Sequence, residues 1–473
     1  MANVGTRLWR MRNVFILERS SLNLNVRTYA SALFVPGYKA NQSFSILTPE
    51  MNFDEQFSDA VKFRKEMELR GVDADIESMK SSWEMYKTVI SDRDVLEDKR
   101  IDAANQIKRL SRKKANVAET ADDEEINRLK VLARVLKNDL KTVRQMQWDL
   151  EDVVIPAILK LPNVLHKETP AHDPTILYSY KKMNSEYNLS CSSSHIDIGR
   201  SLGLLEYTSP MNYYLHDKAA LFELGVLRLA AEMLVQDQVL RVTGLDFVRS
   251  VIIEATGMDH ESPNDSFILE DNEEVEKNSV NRMHLIGGAS LPSFLTMHTK
   301  QLINPKTFPL EYFASGRQYV PFNSHAQEDG LFTVCQASAA EVFTLMKDPT
   351  NSDYWKQFLT MIDFIKVLYT SICNHYRIVL RPARDLRPWE SLRASFEVWS
   401  PYSKGYIEVG HLSLSGDYLS RRLLIACQTH YGRIFPFIIS GTVLSVPRLL
   451  GCLLEQSPKE FVIPIKVQEH IPA

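Results

Sequence analysis

From about Asn52 to Ile155 the chain carries one glycine, Gly71, and no proline. Roughly a hundred residues without breakers leave few options besides helix. Leu96, Ala103, Ile107 and Leu110 recur at helical spacing, and so do Ile126, Leu129, Leu132, Leu136, Leu140 and Val143. Between the two series lies the polar, acidic NVAETADDEE, Asn116 to Glu125. The pattern predicts two long helices joined by a turn. Such an antiparallel hairpin is too long, and too polar on its outer side, to be an ordinary core element. It reads as a projecting arm.

The arm has patterned charge. Its ascending helix carries Lys99, Arg100, Lys108, Arg109, Arg112, Lys113 and Lys114. Its descending helix carries Arg128, Lys130, Arg134, Lys137, Lys141 and Arg144, and acids cluster near the tip. Two readings fit this pattern equally. One is a phosphate-binding surface working through charge neutralisation and counterion release. The other is a solvated coiled-coil face laced with ion pairs.

The whole chain has 473 residues and a formal net charge of −4, so any nucleic-acid contact must come from such a local patch. That length is enough for two or three domains. The five cysteines, Cys191, Cys335, Cys373, Cys427 and Cys452, are scattered and form no paired spacing, which argues against a disulfide framework or a zinc site. No apolar run approaches the roughly 20 residues that span a bilayer.

The first stretch is different in kind. Arg7, Arg10, Arg12, Arg19 and Arg27 stand there with a single acid, Glu18, and no lysine. Leu8, Trp9, Met11, Val14, Phe15 and Leu17 can share one side of a helix. An arginine-rich, acid-poor, serine-containing start predicts a mitochondrial presequence over 1–30 and a matrix protein. RTYAS, Arg27 to Ser31, reads as its cleavage site. The helical-hairpin region then covers 31–155 and a core domain 156–473.

Past the arm, Pro156, Pro162, Pro170 and Pro174 break the helical period. ALFELGVLRLAAEMLVQDQ, Ala220 to Gln238, reads as an amphipathic helix, and FEVWS and GYIEVGHLSLSG alternate like strands. EVFTLMKD, Glu341 to Asp348, and the run from Tyr354 to Tyr376 read as helices. Helices mixed with antiparallel strands predict an α+β body.

The strings LPNVLH, HIDIGRSLGLLEY, MHLIGGASLP, GLFTVCQASAAEVF, FEVWSP, IEVGHLSLSGDYLSRR and GTVLSVPRLLGCLLE follow the arm in that order. In this order they resemble the seryl-tRNA synthetases, over nearly everything after the presequence. The resemblance implies a class II synthetase body: an antiparallel sheet flanked by helices, a dimer, and a coiled-coil arm that grips serine tRNA.

The resemblance fails where the chemistry lies. Family members begin their second motif with phenylalanine, a phosphate-binding arginine and, two residues on, a glutamate. Here Phe313 is followed by Ala314, and Gly316 stands for the glutamate; Arg317 is displaced by three positions from the arginine. Thr333, Cys335, Ala337 and Ala339 replace a second arginine, a histidine, the adenine-stacking phenylalanine and a lysine, while Glu341 remains. Gly288, Ala289 and Ser290 stand for the Thr-Ala-Glu that receives serine. Glu408 survives as a metal-ligating glutamate, but His411 and Leu414 replace its companions. Val443 and Pro447 replace glycines beside Arg448, the one remaining ATP-clamping arginine, and are expected to fill the space those glycines kept open.

Losing one preorganised charge stabiliser typically costs about 10²–10³ in rate, and several are missing together. The resemblance therefore implies a non-catalytic paralogue with no catalytic residue, no cofactor and no bound metal, and with Glu341, Glu408 and Arg448 as a vestigial nucleotide site. A cation at a buried helix start opposes the helix dipole, so Arg448 needs an internal carboxylate, Glu341 or Glu408. His195 and Cys335 are expected to be structural, as are Arg421 and Arg422. The partners implied are a mitochondrial tRNA of the serine type and either a second copy or the mitochondrial seryl-tRNA synthetase. The alternatives are a protein-interaction scaffold without RNA, and a residual serine–tRNA ligase.

Overall fold

The computed structural model describes residues 31–34, 47, 49–50, 53–114, 121–182, 190–269, 282–322, 329–347, 352–430 and 432–472. The expected presequence and most of its expected cleavage site lie outside these, as do the side chains of Lys113 and Lys114. Two compact units emerge: one holds 75–160, the other 31–35, 45–74 and 161–473. Residues 45–74, grouped with the arm on sequence grounds, thus belong to the body.

In the body α1 spans Ala60–Arg70. In the arm α2 spans Ile76–Lys114 and α3 spans Ala121–Leu159. Val89, Leu96 and Ala103 on α2, and Ile126, Leu136, Leu140, Val143 and Leu150 on α3, are buried along the seam. Ile107, Leu110, Leu129 and Leu132 are only half-buried. Tyr86 donates to Glu151 Oε1 across the pair at 3.1 Å, and Arg144 pairs with Glu97. Pro156 lies inside α3 instead of ending it. It sits near the C-terminal end, where the bond it removes is one of the last in the ladder.

The body is built on eight strands: β1 Thr175–Lys181, β2 Leu240–Arg241, β3 Leu310–Tyr319, β4 Gln336–Met346, β5 His375–Leu380, β6 Leu392–Ser400, β7 Gly405–Gly416 and β8 Phe437–Ser445. Their order is β1-β5-β6-β7-β8-β4-β3-β2. Every pairing is antiparallel except that of β2 with β3. The α+β expectation holds. EVFTLMKD does not become a helix, because Glu341 to Met346 form the end of β4. This strand is buried on both faces from Ser338 onward, so its apolar run has no alternation to betray it.

The body also holds α4 His195–Ser201, α5 Asp217–Gln236, α6 Ser250–Ala255, α7 Leu291–His298, α8 Ser352–Ile372 and α9 Tyr418–Arg422. α10, Val446–Gln456, follows directly from β8 with Pro447 in its first turn, where a missing N–H costs nothing. Phe222, Val226 and Leu229 of α5, Phe358, Ile365 and Tyr369 of α8, and Leu449 and Leu450 of α10 pack with Phe313, Val342, Phe396 and Val443 of the sheet. That is the main apolar core, and it covers one face of the sheet.

Three structural expectations concern polar residues at helix ends. Ser194 caps α4 by accepting from the Asp197 amide at 3.2 Å. His195 behind it accepts from the Leu331 amide through Nε2 at 3.0 Å, so Nδ1 carries the proton toward Glu455 Oε1 at 2.8 Å. Arg422 is fully buried and donates to the carbonyls of Glu254 and Leu161, each at 3.4 Å. Arg421 pairs with Asp417 at 2.6 Å.

Candidate functional site

Register places the surviving and replaced residues side by side. Across β3, β4 and β8, Glu341 opposes Ala314 on one side and Thr442 on the other. Side chains alternate along a strand, so Ala314, Gly316 and Gln318 share one face of β3. Gln318 occupies the space on that face. Its Nε2 donates to the Ala289 carbonyl at 2.6 Å and lies 3.1 Å from Thr442 Oγ1 and 3.2 Å from Glu341 Oε2. Thr442 Oγ1 in turn donates to Glu341 Oε2 at 2.7 Å.

The loop that carries Ala289 lies flat on β3. Gly287 has φ +87°, and a Cβ there would stand 2.1 Å from the Arg317 carbonyl oxygen. Only glycine allows the Ala289 amide to reach that carbonyl, at 3.2 Å. Arg317 itself turns away from this face and meets Glu223 at 3.6 Å, as its displacement in sequence suggests. Glu341 is 3% exposed, and burial pushes its carboxyl up to about 8. The bonds from Thr442 and Gln318 and the charges of Arg387 and Arg393 offset this only in part. Glu341 is therefore mostly protonated at neutral pH.

A second cluster surrounds Glu408. Arg393 of β6 reaches across to one carboxylate oxygen and Ser395 donates to the other. The same guanidinium stands 3.5 Å from Glu390, which also accepts from Ser413 Oγ at 2.6 Å and from the Arg387 amide at 2.8 Å. Burial alone would raise the Glu408 carboxyl, but Arg393, the Ser395 hydroxyl and Arg448 together hold it well below the usual carboxylate range. Burial, reinforced by Arg393, keeps the neighbouring His411 well below the ordinary imidazole value, and thus neutral. Arg448 donates Nη1–H to the backbone carbonyl of Glu408 at 2.8 Å. Of the two residues expected to answer it, Glu408 is the one it meets, through the main-chain carbonyl and not the carboxylate.

Glu397 of β6 is held by Arg377 at 2.6 Å and Arg381 at 3.0 Å. Arg381 also meets Asp385 at 2.8 Å. Arg384 is exposed, and Arg387 lies over the Trp389 ring. Among the described residues, no three His, Cys, Asp or Glu side chains gather as a metal site. Val443 does not point into this region. It packs in the apolar core, while its neighbour Thr442 reaches Glu341. Alternation on β8 puts the two on opposite faces.

Glu341 and Glu408 thus fall under one guanidinium's influence, that of Arg393, with Arg448 beside Glu408. Gln318, Thr442, Ser395 and Glu390 complete the arrangement around Arg393 and were not singled out as site residues from sequence. Alternation along β3 and β6 was the available signal for Gln318, Arg393 and Ser395. Glu390 sits on the loop before β6, and no periodicity applies there.

On the arm, Lys99, Arg100, Lys108, Arg109, Arg112, Arg128, Lys130, Arg134, Lys137 and Lys141 are all exposed. From Lys99 to Lys114 the ascending helix has seven basic residues and one acid, Asp102. Arg128 lies 3.9 Å from Glu124 on its own helix. An ion pair between the helices, Arg144 with Glu97, uses neither charge of that set.

Residues 274–457 match the family described as the class II tRNA synthetase core domain (G, H, P, S and T). The chain is 29% identical over 433 residues to the serine–tRNA synthetase-like protein Slimp of Drosophila melanogaster, covering 90% of this chain and 88% of that one. It is 22% identical over 451 residues to the mitochondrial serine–tRNA ligase of Mus musculus, covering 91% and 85%. Its fold matches the seryl-tRNA synthetase of Pyrococcus horikoshii complexed with ATP at a TM-score of 0.74, with 18% identity over 89% of this chain and 98% of that one. The cytoplasmic serine–tRNA ligase of Naegleria fowleri in complex with AMP matches at 0.71, with 17% identity, over 87% and 94%.

Proposed function

Because this chain carries a class II tRNA synthetase core domain within a seryl-tRNA synthetase-like fold, we propose that it is a catalytically inactive synthetase paralogue of mitochondria. It binds tRNA through its arm and serves as an accessory subunit in mitochondrial translation. One observation carries the loss of activity. Gln318 and Thr442 engage Glu341 while Arg393 engages Glu408 and Glu390, so the polar groups of the site are spent on one another. A substrate would have to displace these bonds and do without the charge stabilisation that Ala314 and Thr333 cannot supply and the stacking that Ala337 cannot. Serine-dependent exchange of pyrophosphate into ATP is expected to stay at background. Exchange that rises with serine would make the chain a residual ligase instead.

The arm reading rests on exposed basic residues crowded onto the outer part of α2 and the facing part of α3. A chain with Arg109, Arg112, Arg134 and Lys137 changed to glutamate is expected to bind serine tRNA about 10²-fold more weakly near 0.1 M salt. The dependence of binding on salt should flatten, with a slope shallower by about three. Melting should be unchanged, since all four side chains are exposed. Unaltered tRNA affinity would favour a scaffold without RNA.

A protein partner is supported by a small sheet of Phe247–Arg249, Met283–Leu285 and Phe267–Leu269. Val248 and His284 face inward, while Phe247, Met283 and Leu269 are 48%, 39% and 37% exposed on the other side. An apolar sheet face of this kind suits a second copy or the mitochondrial seryl-tRNA synthetase. The residues over 1–30 support import into the matrix.

A further inference from the structure

Glu254 lies in the last turn of the buried helix α6 and is only 4% exposed. A carboxylate in the last turn of a helix faces the negative end of its dipole, so it needs donors from elsewhere. They come from residues more than 220 positions earlier in the chain. Ser31 Oγ donates to Oε1 at 2.7 Å, and the amides of Ala32 and Leu33 donate to Oε2 at 2.5 and 2.6 Å. The Phe34 amide closes the turn on Ser31 Oγ at 2.9 Å. Ser31, Ala32 and Leu33 are 6%, 9% and 0% exposed, so the tripeptide is inserted into the body and does not lie along its surface. His260 Nε2 is 3.9 Å from Oε2, and the buried Arg422 guanidinium donates to the Glu254 backbone carbonyl.

The three donors from this tripeptide are neutral, and they begin at the residue that would become the first of the mature chain. We propose that Glu254 is the docking site for the amino terminus created at Ser31 by removal of residues 1–30. The inference rests on the presequence reading. Hydrolysis of the Ala30–Ser31 bond by a processing peptidase adds water across it, leaving a carboxylate on Ala30 and an ammonium on Ser31. That ammonium lies on the same residue as the hydroxyl already bound to Oε1. It adds a cation to a buried carboxylate, so maturation fastens the N-terminal segment to α6 through an ion pair.

The test compares the full chain from Ser31 with a free amine, the same chain acetylated at Ser31, and Glu254→Gln of the free-amine form. Modification of the α-amine by an amine-reactive reagent near neutral pH is followed by mass spectrometry of the N-terminal peptide. The free amine should react at least about tenfold more slowly with Glu254 present than with Glu254→Gln. Acetylation should lower the melting temperature by a degree or more. Equal amine reactivity, or equal melting of free and acetylated chains, overturns the proposal. Should Glu254→Gln fail to fold, the acetylated chain decides the matter alone. The N-terminal peptide of the protein isolated from mitochondria separates the two readings. A terminus at Ser31 supports docking, a processed terminus elsewhere overturns docking alone, and retention of 1–30 overturns the presequence reading.

Discussion

Replacing Arg393 with methionine is expected to destabilise the body by about 3–5 kcal/mol near pH 7.5, read from urea unfolding. Arg393 is 7% exposed and answers two carboxylates, Glu408 and Glu390. Without it, Ser395 still donates to Glu408, and Ser413 to Glu390, but neither hydroxyl carries charge. Two acids are then left in a low-dielectric site, and each must take a proton or remain unpaired. The sign with pH follows. In the native protein Glu408 is held well below the ordinary carboxylate value, so it contributes stability above that value which is lost in acid. In the Arg393→Met chain the buried Glu408 loses its strongest counter-charge, so protonation relieves it and stability should recover as pH falls from about 7.5 toward 5. The double variant Arg393→Met, Glu408→Gln should regain part of the loss at all pH values. Arg393→Lys should not substitute well, since an ammonium lacks the fork that serves two carboxylates. A chain indifferent to Arg393→Met would remove this network from the account of the site.

The opposite sign is expected at Glu341. Its carboxyl sits at about 8 in the folded chain, by burial first, against an ordinary value of 4.5. Between those values the native state holds a proton that the unfolded state has released, so stability falls as pH rises through the window. About three units at pH 7.5, at roughly 1.4 kcal/mol each, put the cost near 4 kcal/mol as an upper figure. Glu341→Gln keeps the oxygen that receives Thr442 and Gln318 and has no proton to lose. It should therefore raise the melting temperature near pH 8 and change it little near pH 5. A variant that is neutral at both would mean that Glu341 stays ionised. The comparison also bears on function. A glutamate that gains from neutralisation resembles a core residue more than a metal ligand, which must be ionised to coordinate.

The two experiments probe one site from opposite ends. Arg393 with Glu408 and Glu390 behaves as a buried ion network, whereas Glu341 behaves as a buried neutral acid beside it. Arg393, the cation of the first arrangement, is committed to two carboxylates. Arg448 was the residue that most suggested an anion site, since a guanidinium at a buried helix start opposes the dipole. Its Nη1 is committed to the Glu408 carbonyl, and its charge adds to the pull on that carboxylate.

The arm was legible because helical period, length and the lack of breakers agree over one continuous stretch. The strands of the sheet were legible where one face is polar, as in GYIEVGHLSLSG, and illegible in EVFTLM, which is buried on both faces. The positions that depart from the resembled family, Ala314, Thr333, Ala337 and Gly288, could be read one by one, because a changed residue type is visible in a string of letters. What stands in their place was not, because Gln318, Thr442 and Arg393 act through partners on other strands.

By itself, then, the sequence determined the helical arm, the mixed body, the basic stem and the positions that depart from the resembled family. These are properties of local period and residue type. Only the tertiary structure decided that Arg448 turns to Glu408, that Val443 faces the apolar core, and that Ser31 closes on Glu254. Each depends on strand register or on segments far apart in the chain. A buried polar atom takes whichever partner the packing brings within about 3 Å, and a local window of sequence does not contain that distance.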